Sequence, residues 1–172
     1  MGNLPVKYGL IAGGLGILFS LILYYLDSTI YLKFNSFPLY IIQIYFMVYV
    51  VSLIKKQNEG FITFNDAFKP AWLTYILSST IIALFTYVLM NFINPSLIEQ
   101  LKELQVEAFE AAAKLLKYSE EQKEELLGQL ENANPYDLKS IAALPFSFLF
   151  PGAVIAVIIA LIKRQNPIQL PN

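Results

Sequence analysis

Four stretches of this chain contain no Asp, Glu, Lys or Arg, and they decide most of what it can fold into: Tyr8 to Leu26, Phe37 to Ile54, Pro70 to Ile93, and Ser140 to Ile162. Each is about 18 residues or longer, the length needed to cross roughly 30 Å of hydrocarbon at about 1.5 Å per residue. Peptide groups facing lipid have no solvent partner, so each run must close its own hydrogen bonds as a helix. Transmembrane strands would alternate apolar and polar residues in short segments. Val154-Ile155-Ala156-Val157-Ile158-Ile159-Ala160-Leu161-Ile162 shows no such alternation. The fold expected is all-α: an integral membrane protein with four transmembrane helices arranged as two hairpins, spans about 8–26, 37–54, 70–93 and 140–162. The whole chain, 1–172, reads as a single membrane domain with a helical extracytoplasmic insertion at 94–134 between spans three and four.

The first run is not read as a cleaved signal. Its apolar core exceeds the 7–15 residues typical of one, and Tyr24-Tyr25-Leu26-Asp27 offers no small-residue cleavage site. Four spans leave both termini on one side of the membrane. Lys7, Lys55, Lys56, Lys69, Lys163 and Arg164 flank the spans on that side, whereas the first opposite loop holds only Lys33. Lys and Arg concentrate in cytoplasmic loops, so both termini are expected in the cytoplasm. The long loop carries five lysines against ten acids; long segments translocate with little regard to charge, and the loop is placed outside. Tyr24, Tyr25 and Tyr31 on the outer side, with Phe68 and Trp72 on the inner, suit interfacial belts.

Leu53-Ile54-Lys55-Lys56-Gln57-Asn58 closes span two, and Leu161-Ile162-Lys163-Arg164-Gln165-Asn166 closes span four. The echo suggests two parallel hairpin repeats, although stop-transfer ends also converge on basic residues. Thr63 with Asp66 resembles a helix-capping pair ahead of span three. Asn94-Pro95 marks a break or kink after span three, and Asn134-Pro135 a helix start ahead of span four. Pro145 and Pro151-Gly152 are expected to loosen span four, because a proline supplies no N–H to the preceding turn.

The long loop carries a heptad stripe. Leu97, Leu101, Leu104, Ala108, Ala111, Leu115 and Tyr118 recur at alternating spacings of four and three, with Glu and Lys on the other faces. Such a stripe predicts a helix packed on something: its own chain, a second copy or another protein. Ser119-Glu120-Glu121-Gln122 gives a fresh N-cap and a second helix burying Leu126, Leu127 and Leu130. The acid-rich polar face makes anionic lipid an unsuitable partner for this loop.

Chemistry is conspicuous by what the chain lacks. It contains neither Cys nor His, which removes thiolate chemistry, disulfides and the commonest metal ligand. Charged groups inside spans usually mark ion or proton paths, and the four runs have none. No nucleophile with a base, phosphate loop or acid cluster suggests catalysis, so the chain is read as a non-enzyme with no cofactor, no metal and no nucleic-acid partner. Two sets of residues stand out. Gly9, Gly13 and Gly16, with Ala12, form a small-residue face in span one on which another helix can approach closely, within the chain or in a dimer; with Leu97, Leu101, Leu104 and Leu115 they are the candidate packing or interaction residues. Gln43, Ser78 and Ser79 form a candidate polar midplane, although hydroxyls in membrane helices ordinarily bond to their own backbone or a neighbour.

Three segments carry a family resemblance: Tyr8-Gly9-Leu10-Ile11-Ala12-Gly13, Ile62-Thr63-Phe64-Asn65-Asp66-Ala67-Phe68-Lys69, and Ser119-Glu120-Glu121-Gln122. Over nearly its whole length the chain resembles the bacterial membrane family known as domain of unknown function 4199. Asn65 departs from the Gly such proteins often show there. The resemblance implies a small four-helix protein of the bacterial inner membrane, mostly in Gram-negative organisms, and transfers no functional residues. Two functions are therefore expected from the residues themselves. The first is an accessory or scaffold subunit contacting another membrane protein or a second copy; the alternative is a small carrier or lipid-handling protein built on two hairpin repeats.

Overall fold

The computed structural model describes residues 3–116, 118–132 and 138–165, with side chains described outside 130–148. It is all-α. The helices are α1 (Leu4–Leu26), α2 (Ser28–Phe34), α3 (Ser36–Gln57), α4 (Phe64–Val88), α5 (Ser96–Leu116), α6 (Glu120–Asn132) and α7 (Leu138–Lys163), with a π-helical turn at Leu89–Ile93 following α4. Three helical stretches are long and apolar enough to cross a membrane, Leu4–Leu26, Ser36–Gln57 and Phe64–Ile93; a shorter apolar one runs over Leu149–Lys163 within α7.

The helices begin and end where local chemistry dictates. Pro5 lies in the first turn of α1, where its missing N–H costs nothing. Asp27 ends α1 in extended conformation, and its carboxylate accepts the Ile30 N–H at 2.9 Å to start α2. The short connection between the first two long helices is thus itself helical, a feature that sequence periodicity over seven residues does not reveal. Ahead of α4, the Asp66 N–H donates to Thr63 Oγ1 while that hydroxyl donates to the Asp66 carboxylate. Helix α4 runs straight on from this cap, through Pro70, into its apolar stretch. After α4 the chain makes five residues of π-helix, closed by the Asn94 N–H on the Leu89 carbonyl, and Pro95 then stands ahead of α5. Helix α7 is continuous through Pro145 and Pro151. Asn134, Pro135 and the side chains of Leu130, Pro145 and Ser147 lie outside the described residues.

The chain separates into two compact units, one of residues 1–85 with 143–172 and one of 86–142. In the first, a core gathers Met47, Val50, Val51 and Ile54 from the end of α3, Ala67, Ala71 and Tyr75 from the start of α4, and Ala156, Ile159 and Ala160 from the end of α7, with Leu4 and Tyr8 of α1 packed on it. Starts of two helices and ends of two others therefore meet at one end of this unit, so consecutive long helices alternate in direction.

Helix α1 is arranged opposite to a helix of a water-soluble bundle. The buried positions of α1 are Pro5, Gly9, Ala12, Gly13, Gly16 and Ser20, all small, whereas Leu10, Ile11, Leu15, Leu18 and Ile22 are exposed. In water the large side chains would turn inward, because each fully buried Leu or Ile contributes roughly 1.5–3 kcal/mol. Lipid removes that drive. Close backbone approach then decides which face turns in.

Candidate functional site

The facing sides of α1 and α4 inside the first unit are the best-defined candidate, and they are built largely from small and hydroxyl-bearing residues. Buried positions of α4 are Ala67, Ala71, Thr74, Tyr75, Ser78, Ser79 and Ile82, spaced as one helical face. The α1 glycine face lies against it. A side chain at Gly9 would meet Leu77 at 3.0 Å and the Thr74 carbonyl at 3.2 Å, one at Gly13 would meet Ile81 at 2.9 Å, and one at Gly16 would meet Ile82 at 2.7 Å and Leu39 at 3.2 Å. Gly14, on the other side of α1, has open space beside it. From α7, Gly152 presents bare backbone to the Tyr75 ring, which any Cβ would overlap.

Most of the hydroxyls close on their own helix. Thr74 Oγ1 donates to the Pro70 carbonyl at 2.8 Å, Ser78 to the Tyr75 carbonyl at 2.9 Å and Thr80 to the Ile76 carbonyl at 2.8 Å. Ser52 does the same on α3, donating to the Val48 carbonyl at 2.8 Å. Gln43 differs. Its amide Nε2 donates across to Ser79 Oγ at 2.9 Å, joining α3 to α4 at a position where Gln43 is 5% exposed and Ser79 4%. Tyr75 and Tyr40 extend this group, their hydroxyls interacting with each other and Tyr75 with Ser79. Of the polar midplane residues, Gln43 and Ser79 are therefore brought into contact, whereas Ser78 faces its own backbone.

Two further hydrogen bonds tie elements together. Ser20 donates to Asn35 Oδ1 at 2.9 Å, and Trp72 Nε1 donates to the Leu149 carbonyl at 3.2 Å, joining α4 to α7. The two echoed segments also meet: Lys55 Nζ donates to the Lys163 carbonyl at 3.1 Å, and Ile62 pairs through both backbone groups with Gln165. Gly60, at φ 92°, turns the chain back after α3 to deliver Ile62 to this bridge, and its N–H takes the Lys55 carbonyl at 2.9 Å. The sequence echo was visible; that its two copies touch was not.

In the second unit α5 and α6 pack on each other, and α5 also contacts the π-helical turn. Leu97 is buried and Leu101 and Leu104 are half-buried, but Ala108, Ala111 and Leu115 are exposed, with Leu115 at 83%. The covered side instead passes through Phe109 and Ala112 to buried Ala113. Leu115 stands 18 residues, five whole turns, beyond Leu97 and so on the same side of α5; what changes along the helix is the side that its neighbours cover. The start of α6 carries a reciprocal capping box, with the Gln122 N–H donating to Ser119 Oγ at 3.3 Å and the Ser119 N–H to Gln122 Oε1 at 3.1 Å. Leu126 is exposed and Leu127 half-buried on this helix. Among the described residues no three His, Cys, Asp or Glu side chains converge as metal ligands.

These features define an all-α membrane protein whose long helices are joined by small residues and single hydrogen bonds. The chain belongs to the family described as protein of unknown function DUF4199, whose model matches residues 7–165. No curated protein and no solved structure matches the chain.

Proposed function

We propose that this protein is a non-catalytic accessory or scaffold subunit of a complex in the bacterial inner membrane, crossing it four times as two hairpins. Both termini lie in the cytoplasm, and α5 and α6 lie outside. The observation that carries the scaffold reading is the exposure of Leu115 and Leu116, 83% and 63%, at the end of a helix whose other faces are rich in Glu and Lys. In an aqueous compartment adjacent exposed leucines are a standing cost that a partner surface would relieve. The glycine face of α1 offers no such surface, since α4 and Leu39 already occupy it. The partner is a membrane protein or a second copy that contributes apolar side chains opposite the end of α5.

The test is purification from native membranes in mild detergent. A stoichiometric partner or dimer that is lost on Leu115→Glu with Leu116→Glu is expected; a monodisperse monomer with no co-purifying protein contradicts the reading. The carrier alternative rests on Gln43, Ser78 and Ser79, but these groups bond to each other or to their own helix, which supports a tie between helices over a substrate site. In vesicles, solute flux or lipid transfer that falls on Gln43→Leu with Ser79→Ala would favour the carrier.

A further inference from the structure

The contact between the echoed segments collects charge. Lys55, Lys56, Lys163 and Arg164 stand at the ends of α3 and α7, and the Lys55 bond to the Lys163 carbonyl with the Ile62–Gln165 bridge holds these ends side by side. Lys7 and Lys69 belong to the same end of the unit, for Tyr8 and Phe68 beside them both pack on its core. The sequence of that end supplies six cations against two acids, Glu59 and Asp66. Asp66 is engaged with Thr63, and among the described residues neither it nor Glu59 forms an ion pair with these cations. Four neighbouring cations with no carboxylate of their own repel one another. Lys55 uses one of its three donors on the Lys163 carbonyl, a favourable place for a cation at a helix C-terminus.

The surface next to these cations is apolar. Leu161 and Ile162, immediately before Lys163, are 48% and 74% exposed, and Ile158 one turn earlier is also exposed. A cation cluster at the foot of an exposed apolar helix face matches a molecule with an anionic head and hydrocarbon chains. Arg presents a fork of N–H groups suited to phosphate oxygens, and Lys a point charge. We propose that the paired ends of α3 and α7 form a binding site for the headgroup of an anionic phospholipid in the cytoplasmic leaflet, with Lys56 and Arg164 as its principal donors and the acyl chains lying on Ile158 and Ile162. Lys55 and Lys163 position the site, because one of them ties the two helix ends together. The proposal rests on the membrane crossing and orientation given above, but not on any protein partner.

The experiment uses the full chain in detergent, titrated with phosphatidylglycerol and with phosphatidylcholine of the same acyl chains, and read by native mass spectrometry. Phosphatidylglycerol should be retained in preference. Lys56→Gln with Arg164→Gln should weaken it about 25-fold, from about fivefold per cation near an anionic surface, and leave phosphatidylcholine unchanged. A control pair in the other unit, Lys102→Gln with Lys114→Gln, should leave the preference intact. Equal retention of the two lipids, or a preference that survives loss of Lys56 and Arg164, overturns the site. Displacement of the lipid by inorganic phosphate at matching concentration also overturns it, showing a site for free anions. Should the double variant fail to fold, the unaltered chain decides. Its preference must decline as salt screens the cations, and a preference indifferent to salt refutes the proposal. Orientation is read separately by labelling from either side, so a failed topology and a failed lipid site give different results.

Discussion

The facing helices α1 and α4 of the first unit and helix α5 of the second turn different kinds of residue inward. In the first, Gly9, Gly13 and Gly16 of α1 and Thr74, Ser78 and Ser79 of α4 turn inward while leucines and isoleucines of the same helices face out. In the second, α5 carries a conventional amphipathic pattern, with Leu97 and Ala113 covered and Glu99, Glu103 and Glu107 exposed. The difference is the one expected between helices set in lipid and helices set in water. Where lipid surrounds a helix, burying a large side chain gains little, and the gain comes from close backbone contact. Where water surrounds it, apolar burial is the main drive.

The largest test of that contrast is steric. Gly152→Leu drives a side chain into the Tyr75 ring, which is 1% exposed and has nowhere to go. Overpacking of this kind should destabilise by about 3 kcal/mol, read as a lower unfolding midpoint in detergent. Gly14→Leu, with open space beside Gly14, should lose nothing, and equal losses at the two positions would remove the basis for close glycine contact. Next in size is Ser119→Ala, which removes the α6 capping box and should cost about 1 kcal/mol. Hydrogen exchange should quicken at the start of α6 and stay unchanged in α1, α3 and α4.

Gln43→Leu removes the α3–α4 bond to Ser79. A membrane interhelical hydrogen bond is worth about 0.6 kcal/mol, so the midpoint should fall slightly, and adding Ser79→Ala should cost less than it does alone. Additive losses would show that the pair does not interact. The smallest effect is expected at Leu115→Ser. With that side chain already exposed, the isolated chain should change by less than about 0.5 kcal/mol; a larger loss would mean that Leu115 packs within the chain.

The positions of the long helices were legible because the uncharged runs are matched to a fixed thickness of hydrocarbon. Their ends were less so. The start of α4 at Phe64 is an exception, marked ahead of Lys69 and Pro70 by the Thr63–Asp66 capping pair. The π-helical turn at Leu89–Ile93 leaves no mark in the residue pattern, and α2 is too short to show a period. The glycine face announced a close contact but not its partner, because small residues carry no side chain that specifies what packs on them; Leu77, Ile81 and Ile82 emerge only in three dimensions. The heptad stripe named Leu97, Leu101 and Leu104 on the covered side of α5, yet Leu115, on the same side five turns on, is exposed, since a stripe does not say how far along the helix its neighbours cover it.

The central claim is that lipid, and not water, surrounds the large apolar residues of the first unit. The chain has no native cysteine, so single cysteines can be placed one at a time and challenged with a membrane-impermeant maleimide in intact and in inverted vesicles. Cysteine at Leu18 or Ile158, both exposed at 58% and 51%, should resist labelling from either side, whereas one at Glu121 should react only from outside and one at Asn58 only from inside. Labelling of Leu18 and Ile158 as rapidly as Glu121 would contradict the account.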